Sequence, residues 1–387
     1  MSEVVEYESS ENKVNVKRGL EGVVCDVSTV SKVNPETNSL IYKGYPVQDL
    51  AENCTFEEVA YLLWHDDLPN ANQLKEFEKQ ERGLREISPA LVQVIRSFPK
   101  GAHPMDAIRT GVSFVGMEDS DTLTRTPQKD YERAMILLAK IPTILAYDYR
   151  TRQLGKEPIA PRKDLRIAEN FFHMVFGQVP DARIVKAFEV SLVLYAEHGF
   201  NASTFASRVV TSTTSDLYSA VCGGIGSLKG PLHGGANEQV MHMMKEIDDP
   251  TKAREWMIQA LADKRKVMGF GHRVYKKGDS RVPTMKKYMA VMSEVTGETK
   301  WLKMYEALEQ VMIEKKNIHP NLDFPAGPAY HLMGIETEYF TPIFVMSRIT
   351  GWCAHIFEQI KDNRLIRPLC QYTGSTQRSV KPIASRA

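Results

Sequence analysis

At 387 residues the chain is longer than one ordinary domain, and roughly 100–200 residues per domain implies two or three units with a sizeable core. A hydrophobic share of 43% and a charged share of 25% match a globular protein and exclude disordered and fibrous classes. The 49 Lys and Arg nearly balance the 48 Asp and Glu, so no strong field favours nucleic acid or an anionic membrane surface.

Cys25, Cys54, Cys222, Cys353 and Cys370 are odd in number, widely spaced and without a C-x-x-C pair. That argues against a disulfide framework or a zinc site and points to reduced thiols in a cytoplasm. The first twenty residues have neither the apolar core of a signal peptide nor the Arg-rich, acid-poor character of a transit peptide. The longest apolar stretches, such as Ile141 to Tyr147, fall far short of the roughly 20 residues of a spanning helix. The expectation is a soluble, cytoplasmic protein with no membrane partner.

The β signal lies early. Val23 to Val33 and Ser39 to Tyr42 flank the turn cluster Asn34-Pro35-Glu36-Thr37-Asn38, which predicts a small hairpin. Thr55-Phe56-Glu57-Glu58 is a capping-box pattern, and Ser88-Pro89 is a cap followed by proline at the first helical position. Apolar residues then recur at helical spacing over 127–154, 164–177, 181–198, 203–220, 251–267, 284–295, 300–316 and 340–360. An all-α fold with a small N-terminal hairpin follows. No G-x-G-x-x-G or G-x-x-x-x-G-K-[ST] is present, so Rossmann and P-loop nucleotide sites lack their fingerprint.

Gly223-Gly224, Gly234-Gly235, Gly269 to Gly271 and Pro325-Ala326-Gly327-Pro328 read as interruptions of the helical pattern, hence as hinges. On that basis 233–328 is expected to form a small helical domain inserted into a large one, made of 1–232 and 329–387.

Three segments place an ionisable group beside glycine or proline: Leu232-His233-Gly234-Gly235, Met268-Gly269-Phe270-Gly271-His272 and Asn321-Leu322-Asp323-Phe324-Pro325. Taken singly, each reads as a structural histidine or aspartate near a turn. Together they suit proton abstraction beside a carbonyl, in which a carboxylate takes the proton and two imidazoles hydrogen-bond the developing oxyanions. His233 should precede a helix beginning near Gly234, whose positive end favours a neutral imidazole. Asp323, between Leu322 and Phe324, should be partly desolvated and so more basic. No H-E-x-x-H or other metal-ligand spacing occurs, so no metal is expected.

Further segments accompany these three: Tyr195-Ala196-Glu197-His198-Gly199-Phe200-Asn201-Ala202-Ser203-Thr204, Gly226-Ser227-Leu228-Lys229-Gly230-Pro231, Gly278-Asp279-Ser280-Arg281, Phe344-Val345-Met346-Ser347-Arg348-Ile349 and Asp362-Asn363-Arg364-Leu365-Ile366-Arg367-Pro368. In this order, from about Lys17 to about Arg378, the chain resembles the citrate synthase family. The resemblance implies an all-α, two-domain fold, a homodimer, and condensation of a short acyl-CoA with oxaloacetate without a permanently bound cofactor. By the same resemblance, Asp323 matches the base that removes the acyl-CoA α-proton. His233 matches the donor to the thioester oxygen, and His272 the donor to the oxaloacetate carbonyl.

His198, Arg281, Arg348 and Arg367 match the positions that hold carboxylates, with Arg367 reaching the neighbouring chain's site. Planar guanidinium forks suit that work. Lys266, Val267, Met268, Gly269, Phe270 and Gly271 match the CoA-binding loop, with Lys264, Arg265 and Lys276 as phosphate candidates. Tyr195 stands where many dedicated citrate synthases carry histidine, so the resemblance leans toward 2-methylcitrate synthases, which use propionyl-CoA. A dedicated, acetyl-CoA-using citrate synthase is the alternative. A non-catalytic CoA or carboxylate binder is less favoured, because the base and both imidazoles are present.

Overall fold

The computed structural model describes residues 4–8, 13–34, 36–272, 274–275 and 278–386. Two compact units result, one from Met1–Val27 and Leu365–Ala387, the other from Ser28–Arg364. In the first, β1 (Val4–Glu8) pairs antiparallel with β2 (Lys13–Lys17). After Leu365 its chain is irregular apart from a short 3-10 turn at Ile383–Ser385.

In the larger unit, β3 (Ser31–Asn34), β4 (Ser39–Tyr42) and β5 (Tyr45–Pro46) form an antiparallel sheet, with Ser31 opposite Tyr42. The expected hairpin is therefore present, but its first strand begins at Ser31 and not at Val23. Among the described residues sixteen α-helices follow. They open with α1 (Val47–Asn53), α2 (Phe56–His65), α3 (Ala71–Gly83), α4 (Pro89–Ser97) and α5 (Pro104–Glu118). Both N-terminal signals are used. Thr55 accepts the Glu58 N–H while Glu58 accepts the Thr55 N–H at 2.7 Å, and the Ser88 hydroxyl accepts the Leu91 N–H at 3.1 Å.

Next come α6 (Pro127–Asp148), α7 (Ile167–Phe176), α8 (Ala182–Tyr195), α9 (Ala202–Ser212), α10 (Leu217–Leu228), α11 (Ala236–Ile247) and α12 (Ala253–Ala262). The chain closes with α13 (Val282–Thr296), α14 (Lys300–Lys316), α15 (Asp323–Leu332) and α16 (Phe340–Lys361). From Phe340 to Ile356 α16 is buried on every face, as a central helix must be, and it packs against α6, α8, α9 and α10.

Three expectations are corrected. The 203–220 segment is two helices, because Asp216 caps α10 by accepting the Ser219 N–H at 2.8 Å. Gly223-Gly224 does not break the chain but lies inside α10, where a Cβ on Gly224 would sit 2.5 Å from Ser207 Oγ and 3.0 Å from Trp352. Pro325 to Pro328 likewise lie within α15, with Gly327 admitting the Asn237 carbonyl of α11 at 3.0 Å from its would-be Cβ.

Candidate active site

The sequence-selected groups stand mostly in the turns and loops between helices, with Asp323 at a helix start and Arg348 within a helix. Asp323 is the first residue of α15, with its N–H donated to Asn321 Oδ1 at 3.1 Å. Tyr195, the last residue of α8, donates its hydroxyl to Asp323 Oδ1 at 2.7 Å. Burial pushes the Asp323 carboxyl up to about 6, against the opposing pull of the Tyr195 hydrogen bond and the Arg281 charge.

His233 lies in the turn between α10 and α11, and α11 begins at Ala236, two residues later than expected. Its Nε2 receives the Ser203 N–H at 3.3 Å and lies 2.8 Å from Ser203 Oγ. Since a backbone N–H can only donate, the ring proton sits on Nδ1. Burial, seconded by the Arg348 charge, lowers its pKa to about 3, so it is a neutral donor at physiological pH.

His272 is the complementary tautomer. Its Nδ1 accepts the Val274 N–H at 3.1 Å, which leaves the proton on Nε2. Burial and Arg281 lower its pKa to about 4. Its ring lies 4.8 Å from that of His198, and both pack on Tyr275, whose hydroxyl is 3.3 Å from His198 Nε2. Burial and the Arg281 charge hold His198 well below the usual histidine range.

The guanidiniums enter from two sides. Arg348, on α16, donates Nε–H to the Tyr195 carbonyl at 2.7 Å and stacks on Phe344 at 4.7 Å, while its buried Nη1 has no hydrogen-bond partner among the described residues. Burial lowers its pKa to about 10. Arg281, just before α13, makes a two-point pair with Asp279 at 2.9 and 2.7 Å and reaches the Leu194 carbonyl at 3.4 Å. The Arg281 charge adds to the lowering at Arg348, whereas Glu197 opposes it. Arg367 belongs to the other unit and is exposed.

Lys266 to Gly271 runs beside the strand of chain that leads to Asp323. Gly269 O accepts the Asn321 N–H at 2.9 Å, Gly271 N–H reaches His319 O at 2.8 Å, and the Phe270 and Phe324 rings lie 4.4 Å apart. Gly269 has φ +85° and Gly271 φ +78°, a backbone region that suits glycine. Lys266 is exposed, with Val267 and Met268 half-buried. Of the phosphate candidates, Lys264 is exposed, Arg265 is paired with Glu246 at 2.6 Å, and Lys276 lies outside the described residues.

Several partners escaped the sequence reading. Ser203, which orients His233, and Phe344, which lies against Tyr195 and His233, occur inside quoted motifs, but these pairings span about 30 and 110–150 residues and leave no local signal; only the stacking of Arg348 on Phe344 is a local i, i+4 pair. Tyr275 carries no motif at all. Asp279 had one: the i, i+2 spacing to Arg281.

The helical fold carries a carboxyl of raised pKa bonded to Tyr195, two neutral imidazoles of fixed tautomer and two buried guanidiniums, the equipment of an enzyme that stabilises developing negative charge. The family model described as citrate synthase, C-terminal domain, matches residues 19–369, and the chain belongs to that family. It therefore transfers an acyl-derived group from CoA to oxaloacetate. It is 53% identical over 383 residues to 2-methylcitrate synthase 2 of Corynebacterium glutamicum, covering 98% of this chain and 100% of the relative. To a citrate synthase of Mycolicibacterium smegmatis it is 55% identical over 365 residues, covering 94% and 97%. Its structure resembles the citrate synthase of Thermoplasma acidophilum solved with carboxymethyl coenzyme A and oxaloacetate, with a TM-score of 0.90, 30% identity and coverage of 96% and 100%. Among the described residues no helix is long and apolar enough to cross a membrane.

Proposed function

We propose that this enzyme condenses propionyl-CoA, and acetyl-CoA more slowly, with oxaloacetate and water to give 2-methylcitrate or citrate and CoA. The observation that carries the chemistry is the Asp323 carboxyl, bonded to the Tyr195 hydroxyl at 2.7 Å with its pKa raised to about 6, in a chain that keeps His233 and His272 neutral. Asp323 removes the α-proton while His233 donates Nδ1–H to the thioester oxygen, since a carboxylate succeeds against so weak an acid only if the enolate charge is met in place. The α-carbon then attacks the oxaloacetate ketone, whose oxygen takes a hydrogen bond from His272 Nε2–H. Hydrolysis of the thioester releases CoA.

His198, Arg281 and Arg348 hold the carboxylates, and the unpartnered Arg348 Nη1 is a donor suited to one of them. The Lys266–Gly271 loop receives CoA. Arg367 completes the site of the other chain in a homodimer, as the family resemblance implies, and 233–328, bounded by the glycine- and proline-rich segments of the sequence, acts as the small domain. The five free cysteines fit a cytoplasmic setting.

The choice of propionyl-CoA rests on Tyr195, packed 4.2 Å from Phe344 and bonded to the base, and on the Corynebacterium relative. The Mycolicibacterium relative favours acetyl-CoA instead. Thiol release with each acyl-CoA decides: kcat/KM should be about tenfold higher for propionyl-CoA, within the roughly 1–3 kcal/mol that one methylene confers. A preference for acetyl-CoA overturns the methylcitrate reading and leaves the condensation intact.

A further inference from the structure

Behind the turn that follows α8 lie charges that the condensation does not use. Glu197 and His355 are fully buried. Glu197 Oε1 accepts His355 Nε2–H at 2.9 Å, the Ser31 hydroxyl at 2.9 Å and the Gly199 N–H. The far side of His355 faces Glu358 at 3.7 Å and Arg208 at 3.4 Å, and Glu358 in turn accepts the Thr29 N–H at 2.7 Å. Burial opposes a charge on either partner. Glu197 and Glu358 nevertheless hold the His355 pKa up, and His355 holds that of Glu197 down, so each partner favours the charged form of the other.

Stability alone does not account for it. A buried ion pair loses several kcal/mol per ion in desolvation and is often no better than a packed apolar pair. The fold makes room for this one: a Cβ on Gly351 of α16 would fall 2.3 Å from Glu197 Oε2 and 2.4 Å from Ala196 O. The turn so held carries much of the site. The Leu194 carbonyl meets Arg281, the Tyr195 carbonyl fixes Arg348, and His198 faces His272. The backbone of Glu197 is itself clamped by Tyr42 Oη, through its carbonyl at 2.9 Å and its N–H at 3.2 Å.

We propose that Glu197 and His355 are positioning residues whose ion pair fixes the Leu194–Gly199 turn and thereby the spacing of His198, Arg281 and Arg348 around oxaloacetate. This rests on the function proposed above. The Asp323 backbone and the His233 ring have anchors of their own in Asn321 and Ser203, and the Tyr195 ring that bonds the Asp323 carboxyl is held separately against Phe344, so the pair governs oxaloacetate binding more than proton transfer.

Glu197→Gln and His355→Gln in the full-length enzyme test it by steady-state kinetics and oxaloacetate calorimetry. Each should raise the KM and Kd for oxaloacetate about tenfold while kcat and the acyl-CoA KM change less than about threefold. The double variant, with two amides in place of two charges, should be less impaired than the product of the single effects. Unchanged oxaloacetate affinity, or equal losses in both KM values and kcat, overturns the proposal. Should Glu197→Gln not fold, Ser31→Ala removes one donor to Glu197 and reads the same quantity: a rise in oxaloacetate Kd of about threefold supports the role, and no rise overturns it. Wild-type turnover is the separate control, since its absence overturns the enzymatic reading itself.

Discussion

As the proposed base, Asp323 must be charged to accept a proton and basic enough to hold it, and its surroundings compete over that balance. The first turn of α15 and the Tyr195 hydroxyl both favour the anion, yet burial outweighs them and leaves the pKa at about 6. His233 and His272, at about 3 and 4, stay neutral throughout the working range. The acid limb of kcat/KM should therefore have a single midpoint near pH 6, and a midpoint near pH 4 would contradict the burial argument. A carboxyl whose folded pKa exceeds its unfolded value favours folding only at low pH, and that contribution is lost as pH rises through about 6. Asp323→Asn should accordingly lower kcat by about a thousandfold or more while melting roughly 1–4 °C higher at pH 7. Near-normal turnover excludes Asp323 as the base. The aspartate's desolvation was legible from its apolar neighbours; the hydroxyl bonded to it, 128 residues away, was not.

Helices with their own start signals were legible, because a cap is a local exchange: Thr55 with Glu58 and Ser88 with Leu91 settle α2 and α4 within four residues. Glycine was not, because its meaning depends on what approaches it. Gly224 reads as a helix breaker, costing about 1 kcal/mol by propensity, but serves to let α10 close on α9 and Trp352. Gly269 serves a like purpose in the Lys266–Gly271 loop. Besides its positive φ, a Cβ there would lie 2.6 Å from Val240 and 2.8 Å from Phe324, the neighbour of Asp323. Gly269→Ala should thus push the loop and the start of α15 apart, raising the acyl-CoA KM about tenfold and destabilising the fold by roughly 1–3 kcal/mol. Kinetics and a melt would show it; unchanged acyl-CoA kinetics would separate the loop from CoA binding.

On the scale of the whole molecule, the candidate groups come from distant parts of the chain: Tyr195 at the end of α8 and His198 after it, His233 before α11, His272 and Arg281 before α13, Asp323 on α15 and Arg348 on α16. If 233–328 moves as a small domain, the His198–His272 contact at 4.8 Å bridges the two domains, as does the Tyr195–Asp323 bond. Oxaloacetate held by His198, Arg281 and Arg348 would then favour the closed arrangement, because it can bind groups from both sides only when they are together. Linkage makes the effect reciprocal: what oxaloacetate assembles, acyl-CoA should bind more tightly. Closure before acyl-CoA enters also keeps water from the thioester until the base has a substrate. Calorimetry should find CoA at least about tenfold tighter with oxaloacetate present, a coupling of about 1.4 kcal/mol. Equal affinity in both titrations, with no contraction in small-angle scattering on adding oxaloacetate, would rule out substrate-driven closure and leave the base exposed to either substrate in any order.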